Sequence, residues 1–319
     1  MQILFLVFQQ TMFFSIPLLI VALGGVFTER SGVTNIALDG MMIMGAFTSI
    51  FFINQMGDTM SGQSLLLIAI LIAVATGTVF SLFHAYAAVN LKADQIISGT
   101  ALNMFAPAFA IFTARMIQEN GVQQINFMNT FRIPSVPVLG DIPVIGGLFF
   151  QNAYITTYIG FVILILSVIV LYKTRFGLRL RACGEHPHAA DSVGINVYRM
   201  RYAGVMISGA LAGLGGLVFV IPTSTNFNAT VSGYGFLALA VMIFGQWKPT
   251  RVLFAALFFG LMKTVASAYS VIPLLATSNI PSDIYKMIPF IATLIVLAFS
   301  SKSSQAPKAV GVPYDKGSR

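Results

Sequence analysis

Charged residues and cysteine are both scarce in this sequence. Lys, Arg, Asp and Glu make up 9% of its 319 residues, against about 25% in typical soluble domains. A soluble protein of this length could not cover its surface with so few charges, so a cytosolic globular enzyme and a disordered chain are excluded. Cys183 is the single cysteine, which excludes an intrachain disulfide and with it a secreted disulfide scaffold.

Motifs for catalysis are missing as well. The sequence has no GxxxxGK[ST] nucleotide loop, no HExxH and no GxSxG. Its three histidines, His84, His186 and His188, do not have the spacing of a metal site. The first apolar run follows no basic stretch, which argues against a cleaved signal peptide. We therefore predict no catalytic residue, no metal ligand and no cofactor held by this chain itself.

Apolar residues dominate instead, at 57% of the chain, with a mean hydropathy of +0.85. Because a lipid-exposed backbone must satisfy its own hydrogen bonds, we predict an all-α polytopic membrane protein. A crossing needs about 20 mostly apolar residues. We assign nine candidate transmembrane segments, at 5–27, 33–53, 64–89, 95–116, 153–172, 202–222, 233–247, 252–272 and 285–301. The seventh is short and is interrupted by glycines.

The basic residues are distributed unevenly between the two sides that these segments define. Of 18 Lys and Arg, fourteen lie in alternate inter-segment stretches or the tail, while Arg115, Arg132 and Lys286 lie on the other side and Lys263 lies within a segment. Since cytoplasmic loops carry the excess of Lys and Arg, the N-terminus is predicted outside and the C-terminus inside. No basic face with interleaved aromatics indicates nucleic-acid binding.

The domain organisation follows from the same reading. Residues 1–301 are predicted to form one transmembrane domain in contact with membrane lipid, with an outer loop at 117–152 and an inner loop at 173–201. Residues 302–319 show no periodicity, so we predict a disordered cytoplasmic tail.

Two stretches of the sequence resemble each other. Residues 31–38 and 232–239 share the frame SGxxxxAL, and each follows a helix that carries a Leu-Gly-Gly sequence. The predicted topology places one copy at the inner face and the other at the outer face, as an inverted repeat would. Matching Gly-interrupted segments in two halves of a transporter indicate its binding site, so both copies are candidates to line a pathway.

Five residues of these segments are candidates for the pathway wall. If helical, Asp39 lies about 12 Å beyond Ser31 at 1.5 Å per residue, and a mid-membrane Asp costs about 2.5–3.5 kcal/mol. It either faces a solute or forms a packing hydrogen bond. Asn35 lies one turn earlier on the same face, which predicts a shared polar stripe. The other candidates are Asn103, for which packing is the stronger interpretation, and Tyr234 and Phe236 of the second copy.

Two further features concern helix packing. Lys263 is too deep for easy snorkelling, so we hypothesise an ion pair with Asp39. The sixth segment contains small residues at small-xxx-small spacing, which permits close helix approach within the chain or, second, at a subunit interface. These small residues are Gly204, Ser208, Gly209, Gly213 and Gly216.

The inner loop contains a short, sharply delimited helix. Pro187 can open a helix and Gly194 can stop one, which predicts about two turns parallel to the membrane and a hairpin back to the next segment. Such a design indicates docking of a cytoplasmic partner. The candidate docking residues are Glu185, Pro187, Ala189, Ala190, Asp191, Gly194 and Ile195.

The inner loop and several other stretches of the sequence resemble those of a known protein family. Residues 176–185, FGLRLRACGE, followed by AADSVGI at 189–195, resemble the coupling loop of ABC importer permeases related to the ribose and branched-chain amino acid permeases. Residues 29–42, ERSGVTNIALDGMM, resemble the nucleoside branch, where ERSGxxNIxLEG is usual, with Asp39 in place of the Glu. Residues 93–99 and 244–249 also match that branch, and the resemblance covers about residues 10–300.

The resemblance implies a permease subunit in a bacterial cell membrane with no ATPase site of its own. It implies a cytoplasmic ABC ATPase that binds ATP and Mg, a second permease subunit in a heterodimer, an extracytoplasmic substrate-binding lipoprotein, and a nucleoside substrate. The alternatives are an ABC permease for a sugar or other small polar solute, an ion-coupled secondary transporter that uses Asp39, and a passive channel or membrane scaffold.

Overall fold

A computed structural model describes residues 2–60, 62–118, 121–268, 281, 284–285, 287–289, 291–292, 294 and 305–317. Within them the chain forms ten α-helices, α1 (Gln2–Arg30), α2 (Leu38–Met56), α3 (Gly62–Ala85), α4 (Gln95–Ile117), α5 (Ile155–Lys173), α6 (Arg175–Glu185), α7 (Pro187–Ser192), α8 (Val197–Thr223), α9 (Tyr234–Phe244) and α10 (Pro249–Ala268). Four short strands, β1 (Ile125–Asn126), β2 (Ile133–Ser135), β3 (Gln151–Ala153) and β4 (Asn226–Phe227), lie in the connections.

Six helices of the described part are long and apolar enough to cross a bilayer, namely α1, α3 with the π turn that follows it, α4, α5, α8 and α10. The prediction of a polytopic helical membrane protein is therefore confirmed. The second and seventh predicted segments differ from expectation. α2 begins at Leu38 rather than at residue 33, and α9 has 11 residues, which at 1.5 Å per residue is about 16 Å. The ninth predicted segment, 285–301, lies largely outside the described residues.

The centre of the bundle is formed by α1 and α8. The most apolar stretch of α1 is 100% buried and that of α8 is 78% buried. Helices α2 and α3 pack against α8, whereas α9 and α10 pack against α1. Two helices that follow α1 in the sequence therefore pack on α8, and two that follow α8 pack on α1, a pattern that agrees with the predicted inverted repeat.

Glycines of α8 permit this packing. A Cβ atom added to Gly216 would lie 2.0 Å from the backbone oxygen of Met42 in α2. One added to Gly213 would lie 2.3 Å from the backbone oxygen of Ala73 in α3. The predicted close approach of helices within the chain is confirmed.

The connections gather at two opposite ends of the bundle. At one end the 121–154 connection meets the start of α1 and the end of α8, where Gln9 donates to the backbone oxygen of Gly147 (2.9 Å) and Asn129 to that of Ile221 (2.6 Å). Strand β1 pairs antiparallel with β4 at this end. At the other end Arg30 lies 3.6 Å from Glu185 and donates to the backbone oxygen of Trp247. This is the end that the charge pattern predicts to be cytoplasmic.

Residues 305–317, here called the C-terminal strap, pack on that same end. The Ala309 N–H donates to the backbone oxygen of Gly184 (2.9 Å), and Tyr314 is 3% exposed. The prediction of a disordered tail is wrong for these residues, because an aromatic ring and small apolar residues bury themselves in a cleft that only the folded bundle provides.

Candidate functional site

Residues 31–37, between α1 and α2, are not helical and are here called the break. Buried side chains from other helices bind its backbone. The Thr34 N–H donates to Oε1 of Gln95 (2.7 Å), and the Thr34 carbonyl lies 2.8 Å from Nε2 of His84. Both side chains are buried. Sequence reasoning missed these two residues, although a polar residue at a buried position of an apolar helix is the signal that could have found them.

Asn103 joins the two sides of this break. Its Nδ2 donates to the carbonyl of Ile36 (2.8 Å), and its Oδ1 accepts from the Gly40 N–H (2.7 Å). Irregular backbone at membrane depth is tolerated only where protein groups or a water-filled cavity satisfy it. The structure therefore engages Asn103 with backbone, and its role in a pathway stays a prediction.

Asn35 lies inside the break and is 1% exposed. Its Nδ2 donates to the Ser208 hydroxyl (2.9 Å), and its Oδ1 accepts from the Ala37 N–H (3.1 Å). The predicted polar stripe of Asn35 and Asp39 on one helical face is wrong, because Asn35 precedes the first turn of α2.

Asp39 lies in that first turn and contacts the N-terminus of α9. Its Oδ1 accepts from the Gly235 N–H at 2.9 Å. A Cβ atom on Gly235 would lie 2.3 Å from the Cα of Asp39, so only glycine permits this approach. The free N–H groups of a helix N-terminus carry partial positive charge, which favours a carboxylate there. The second of the two similar stretches thus contacts the residue that directly follows the first.

Lys263 does not pair with Asp39, so the hypothesis of an ion pair between them is wrong. Its Nζ lies 5.9 Å from the centroid of the Tyr234 ring, and no ion pair within 4 Å joins it to Asp39 in the described part of the chain. The depth argument assumed a continuous helix from Ser31, whereas the break displaces Asp39 from the expected height.

A cavity of about 560 Å³ lies beside α9 and α10. Most of its lining is apolar, and the exceptions are Ser232, Tyr234 and Lys263. The residues that line the cavity are Ser232, Gly233, Tyr234, Phe236, Leu237, Ala240, Lys263, Pro289 and Leu294. Of the five predicted pathway residues, Tyr234 and Phe236 line this cavity. Tyr234 is 1% exposed and Phe236 50% exposed.

The inner loop folds as its proline and glycine predict. Pro187 occupies the first turn of α7, and Gly194, with φ +85°, ends the segment as its N–H donates to the Asp191 carbonyl (2.9 Å). Helix α7 has six residues, slightly less than the two turns expected at 3.6 residues per turn.

The predicted docking residues differ in their accessibility. Ala189 and Gly194 are exposed, Ala190 is buried, and Glu185, Pro187, Asp191 and Ile195 are half-buried. Val193, which the sequence reasoning did not select, is 75% exposed. Ala189, Val193 and Gly194 are among the exposed residues of this segment and are here called the α7 face.

The C-terminal strap connects residues 185–195, here called the coupling segment after their predicted role, to the break. Tyr314 lies with its ring centroid 5.1 Å from that of His188 and 5.5 Å from that of Tyr198. Three residues earlier, the Gly311 N–H donates to the Gly32 carbonyl (3.3 Å). Cys183 lies in the same apolar cluster as Tyr314, and burial raises the pKa of its thiol to about 11.

Comparison with known proteins identifies relatives of the whole chain. The family model of the branched-chain amino acid transport system permease component matches residues 7–297. The guanosine ABC transporter permease protein NupQ of Bacillus subtilis is 45% identical over 100% of this chain and 99% of its own length. The nucleoside ABC transporter permease proteins NupC and NupB of Lactococcus lactis are 44% identical (95% of this chain, 94% of NupC) and 27% identical (95% and 84%). No solved structure matches the chain.

Proposed function

We infer that this chain, which belongs to the family of branched-chain amino acid transport system permease components, is the permease subunit of a nucleoside ABC importer in the cell membrane. The observation that carries the substrate class is the identity of 44–45% with two permeases named for guanosine and nucleosides, over nearly the full length of each. The multi-pass helical fold agrees with a transport subunit.

The proposed cycle is alternating access. An extracytoplasmic binding lipoprotein delivers a nucleoside to the outer end of the bundle, and the solute passes along the cavity beside α9. Short non-helical segments absorb the dihedral changes of such motions, and the break before α2 and the Gly233 turn before α9 supply them. High affinity in the path is unnecessary because the binding protein performs the capture.

The conformational change of the helices is driven from the cytoplasmic end of the bundle. A cytoplasmic ATPase, which holds ATP and Mg, binds the α7 face and moves it with the nucleotide state. The Glu185–Arg30 ion pair connects α6 to the end of α1, and the strap connects α7 to Gly32. Both connections lead from the docking segment to the break that precedes α2.

The proposal includes an orientation and a second permease. The N-terminus is outside, the C-terminus is inside, and nine segments include the short α9 and the stretch at 285–301. The gathering of Arg30, Lys92, α6, α7 and the strap at one end supports this orientation. Two Lactococcus permeases that both carry nucleoside names support a pair of unlike permeases.

Uptake by a reconstituted complex tests the function. Vesicles that contain this chain, its permease partner, the ATPase and the binding lipoprotein are expected to accumulate labelled nucleosides only when ATP is supplied to the ATPase side. Omission of the ATPase is the control. Uptake by this chain alone, driven by a proton or sodium gradient, would contradict the importer and support an ion-coupled transporter. Accumulation of a sugar instead would contradict the substrate class.

A further inference from the structure

Lys263 occupies a costly position. It lies fourteen residues after Pro249 at the start of α10, about 21 Å along the helix at 1.5 Å per residue. A lysine costs about 2.5–3.5 kcal/mol at the centre of a bilayer on insertion scales, and lysines within membrane-spanning helices face a protein interior or a water-filled cavity. Lys263 follows this rule, since it lines the 560 Å³ cavity beside α9.

The same cavity contains a second polar group in an apolar wall. Tyr234 is buried, and its hydroxyl has no hydrogen-bond partner among the described residues. Its ring lies beneath the Lys263 ammonium, and the half-exposed ring of Phe236 lines the same space. The Tyr234 hydroxyl is itself buried, so the site offers a solute an ammonium donor and the aromatic face of Phe236.

These groups suit one class of nucleoside better than another. The O6 and N7 atoms of guanine are both acceptors, whereas adenine presents an acceptor at N7 and an amino donor at N6. An ammonium group can donate to both guanine acceptors but is opposed by the adenine amino group. An aromatic face stacks on any base.

We propose that Lys263 is a specificity-determining residue that binds the O6/N7 edge of 6-oxopurine nucleosides in the cavity between α9 and α10. This inference rests on the proposed function. It predicts that guanosine and inosine enter in preference to adenosine. The discrimination expected from such a donor pair is about tenfold.

The experiment compares uptake ratios, which do not depend on the amount of folded complex. Reconstituted complexes are given equal guanosine and adenosine, with Lys263→Met, Lys263→Arg and, as an inner-end control, Lys248→Met. Lys263→Met is expected to lower the guanosine-to-adenosine ratio about tenfold, whereas Lys263→Arg and Lys248→Met keep it.

Each other outcome has a defined meaning. An unchanged ratio in Lys263→Met would overturn the specificity role while leaving nucleoside import intact. If the unsubstituted complex imports no nucleoside, the proposed function fails instead. If Lys263→Met does not insert, Lys263→Gln is measured in its place, and failure of both to fold would assign Lys263 a structural role and overturn the proposal.

A second inference rests on the C-terminal strap. Arg201 in α8 is 1% exposed, and its three guanidinium nitrogens have no hydrogen-bond partner among the described residues. Its guanidinium carbon lies 5.9 Å from the centroid of the Tyr314 ring. Burial of a charge without hydrogen bonds is unfavourable, and the Tyr314 ring offsets part of that cost through a cation–π contact. The strap therefore covers a group that exchanges this contact for hydration when the strap leaves.

The strap also joins the two parts that must move relative to each other. It binds α7 through Tyr314 beside His188 and binds the break through Gly311 and Gly32. We infer that the strap is an internal clamp that holds α7 and the break in the resting arrangement and is displaced when the ATPase engages the α7 face.

Cys183 provides a native reporter of this displacement. The thiolate is the form that reacts, and both its burial and its raised pKa keep it slow to react at neutral pH. Maleimide labelling of Cys183 is measured in the purified full chain, before and after addition of the ATPase with a non-hydrolysable nucleotide. Tyr314→Ala removes the anchor, and Tyr86→Ala changes an exposed tyrosine of the π turn as a control.

The clamp predicts that Cys183 is labelled slowly in the free chain and faster when the ATPase is added. In Tyr314→Ala, Cys183 should be labelled about ten times faster than in the free unsubstituted chain, with or without the ATPase. The Tyr86→Ala variant is expected to label slowly. Labelling of Tyr314→Ala at the unsubstituted rate, or labelling of the unsubstituted chain that the ATPase leaves unchanged, would overturn the clamp. A Tyr314→Ala chain that does not fold is replaced by one that ends at residue 304, judged by the same rates.

Discussion

The break before α2 and the coupling segment around α7 are both irregular regions of the same bundle, but different interactions hold them. Around the break, neutral side chains such as Gln95 and Asn103 bind backbone groups directly. Around α7, two ion pairs join neighbouring elements, Glu185 with Arg30 and Asp191 with Lys316.

The difference follows from the surroundings of each region. In a dry interior an unpaired polar group is costly, so irregular backbone needs a dedicated partner for each N–H and C=O. Next to water, ion pairs contribute little net stability and are screened by salt. The break is therefore expected to be sensitive to single substitutions, whereas the coupling segment is expected to tolerate the loss of one charge.

The largest expected effect is that of Asn103→Leu. The substitution leaves the Ile36 carbonyl and the Gly40 N–H without their partner, at about 1–3 kcal/mol for each buried group. The midpoint of unfolding in SDS should fall strongly. Thr100→Leu, one turn earlier on α4 and exposed, is the control and should leave the midpoint nearly unchanged. A similar midpoint for both variants would show that the break does not depend on Asn103.

Substitutions of two glycines, Gly216 in α8 and Gly194 after α7, compare how tightly the two regions are packed. Gly216→Ala places a methyl group 2.0 Å from a backbone oxygen of α2, and such overpacking costs about 1–3 kcal/mol. Gly194 has open space around it but a φ of +85°, so Gly194→Ala should cost about 1–2 kcal/mol. Gly194→Asn should recover part of that loss because Asn tolerates the left-handed region. Thermal melting of the purified chain measures all three, and a Gly216→Ala chain that melts at the temperature of the unsubstituted chain would contradict the packing.

A smaller effect is expected from Glu185→Gln. The carboxyl lies 3.6 Å from Arg30, and the two side chains are 42% and 12% exposed. An ion pair of this kind is worth about 0–1 kcal/mol, so the unfolding midpoint should change little and should change less as salt is raised. A loss as large as that of Asn103→Leu would remove the distinction between the two regions.

The smallest expected effect is a pH response of the strap. Lys92 lies 2.8 Å from the Asp315 carboxyl and, by donating to it, lowers the pKa of Asp315 below its ordinary value. The charged carboxylate is therefore favoured in the folded state, and this attachment is retained at neutral pH and lost as pH falls below about 4. A spin label at Val312→Cys should become more mobile there. Asp315→Asn should already show that mobility at pH 6, and a label insensitive to both changes would contradict the attachment.

The limits of α7 could be predicted from the sequence, because Pro187 and Gly194 define them through their own backbone preferences and not through contacts with distant residues. The glycines of α8 likewise predicted close packing, and six of the nine apolar segments coincide with described helices that are long and apolar enough to cross a bilayer. The break was missed because His84, Gln95 and Asn103, which hold it, lie far away in sequence. The Lys263–Asp39 pairing failed for the same reason, as the break alters the depth of Asp39. Tyr314 was missed because the cleft that receives it exists only in the folded bundle.

The central claim is that the end of the bundle with the α7 face is cytoplasmic and receives the ATPase. The most direct test of this claim uses two variants that both carry Cys183→Ala. One has Val193→Cys in the α7 face, and the other has Thr59→Cys at the opposite end of the bundle. A cysteine-reactive crosslinker is attached to each variant in the assembled complex. The account predicts a crosslink from position 193 to the ATPase and none from position 59. A crosslink from position 59, or a position 193 that stays as reactive in the complex as in the free chain, would contradict it.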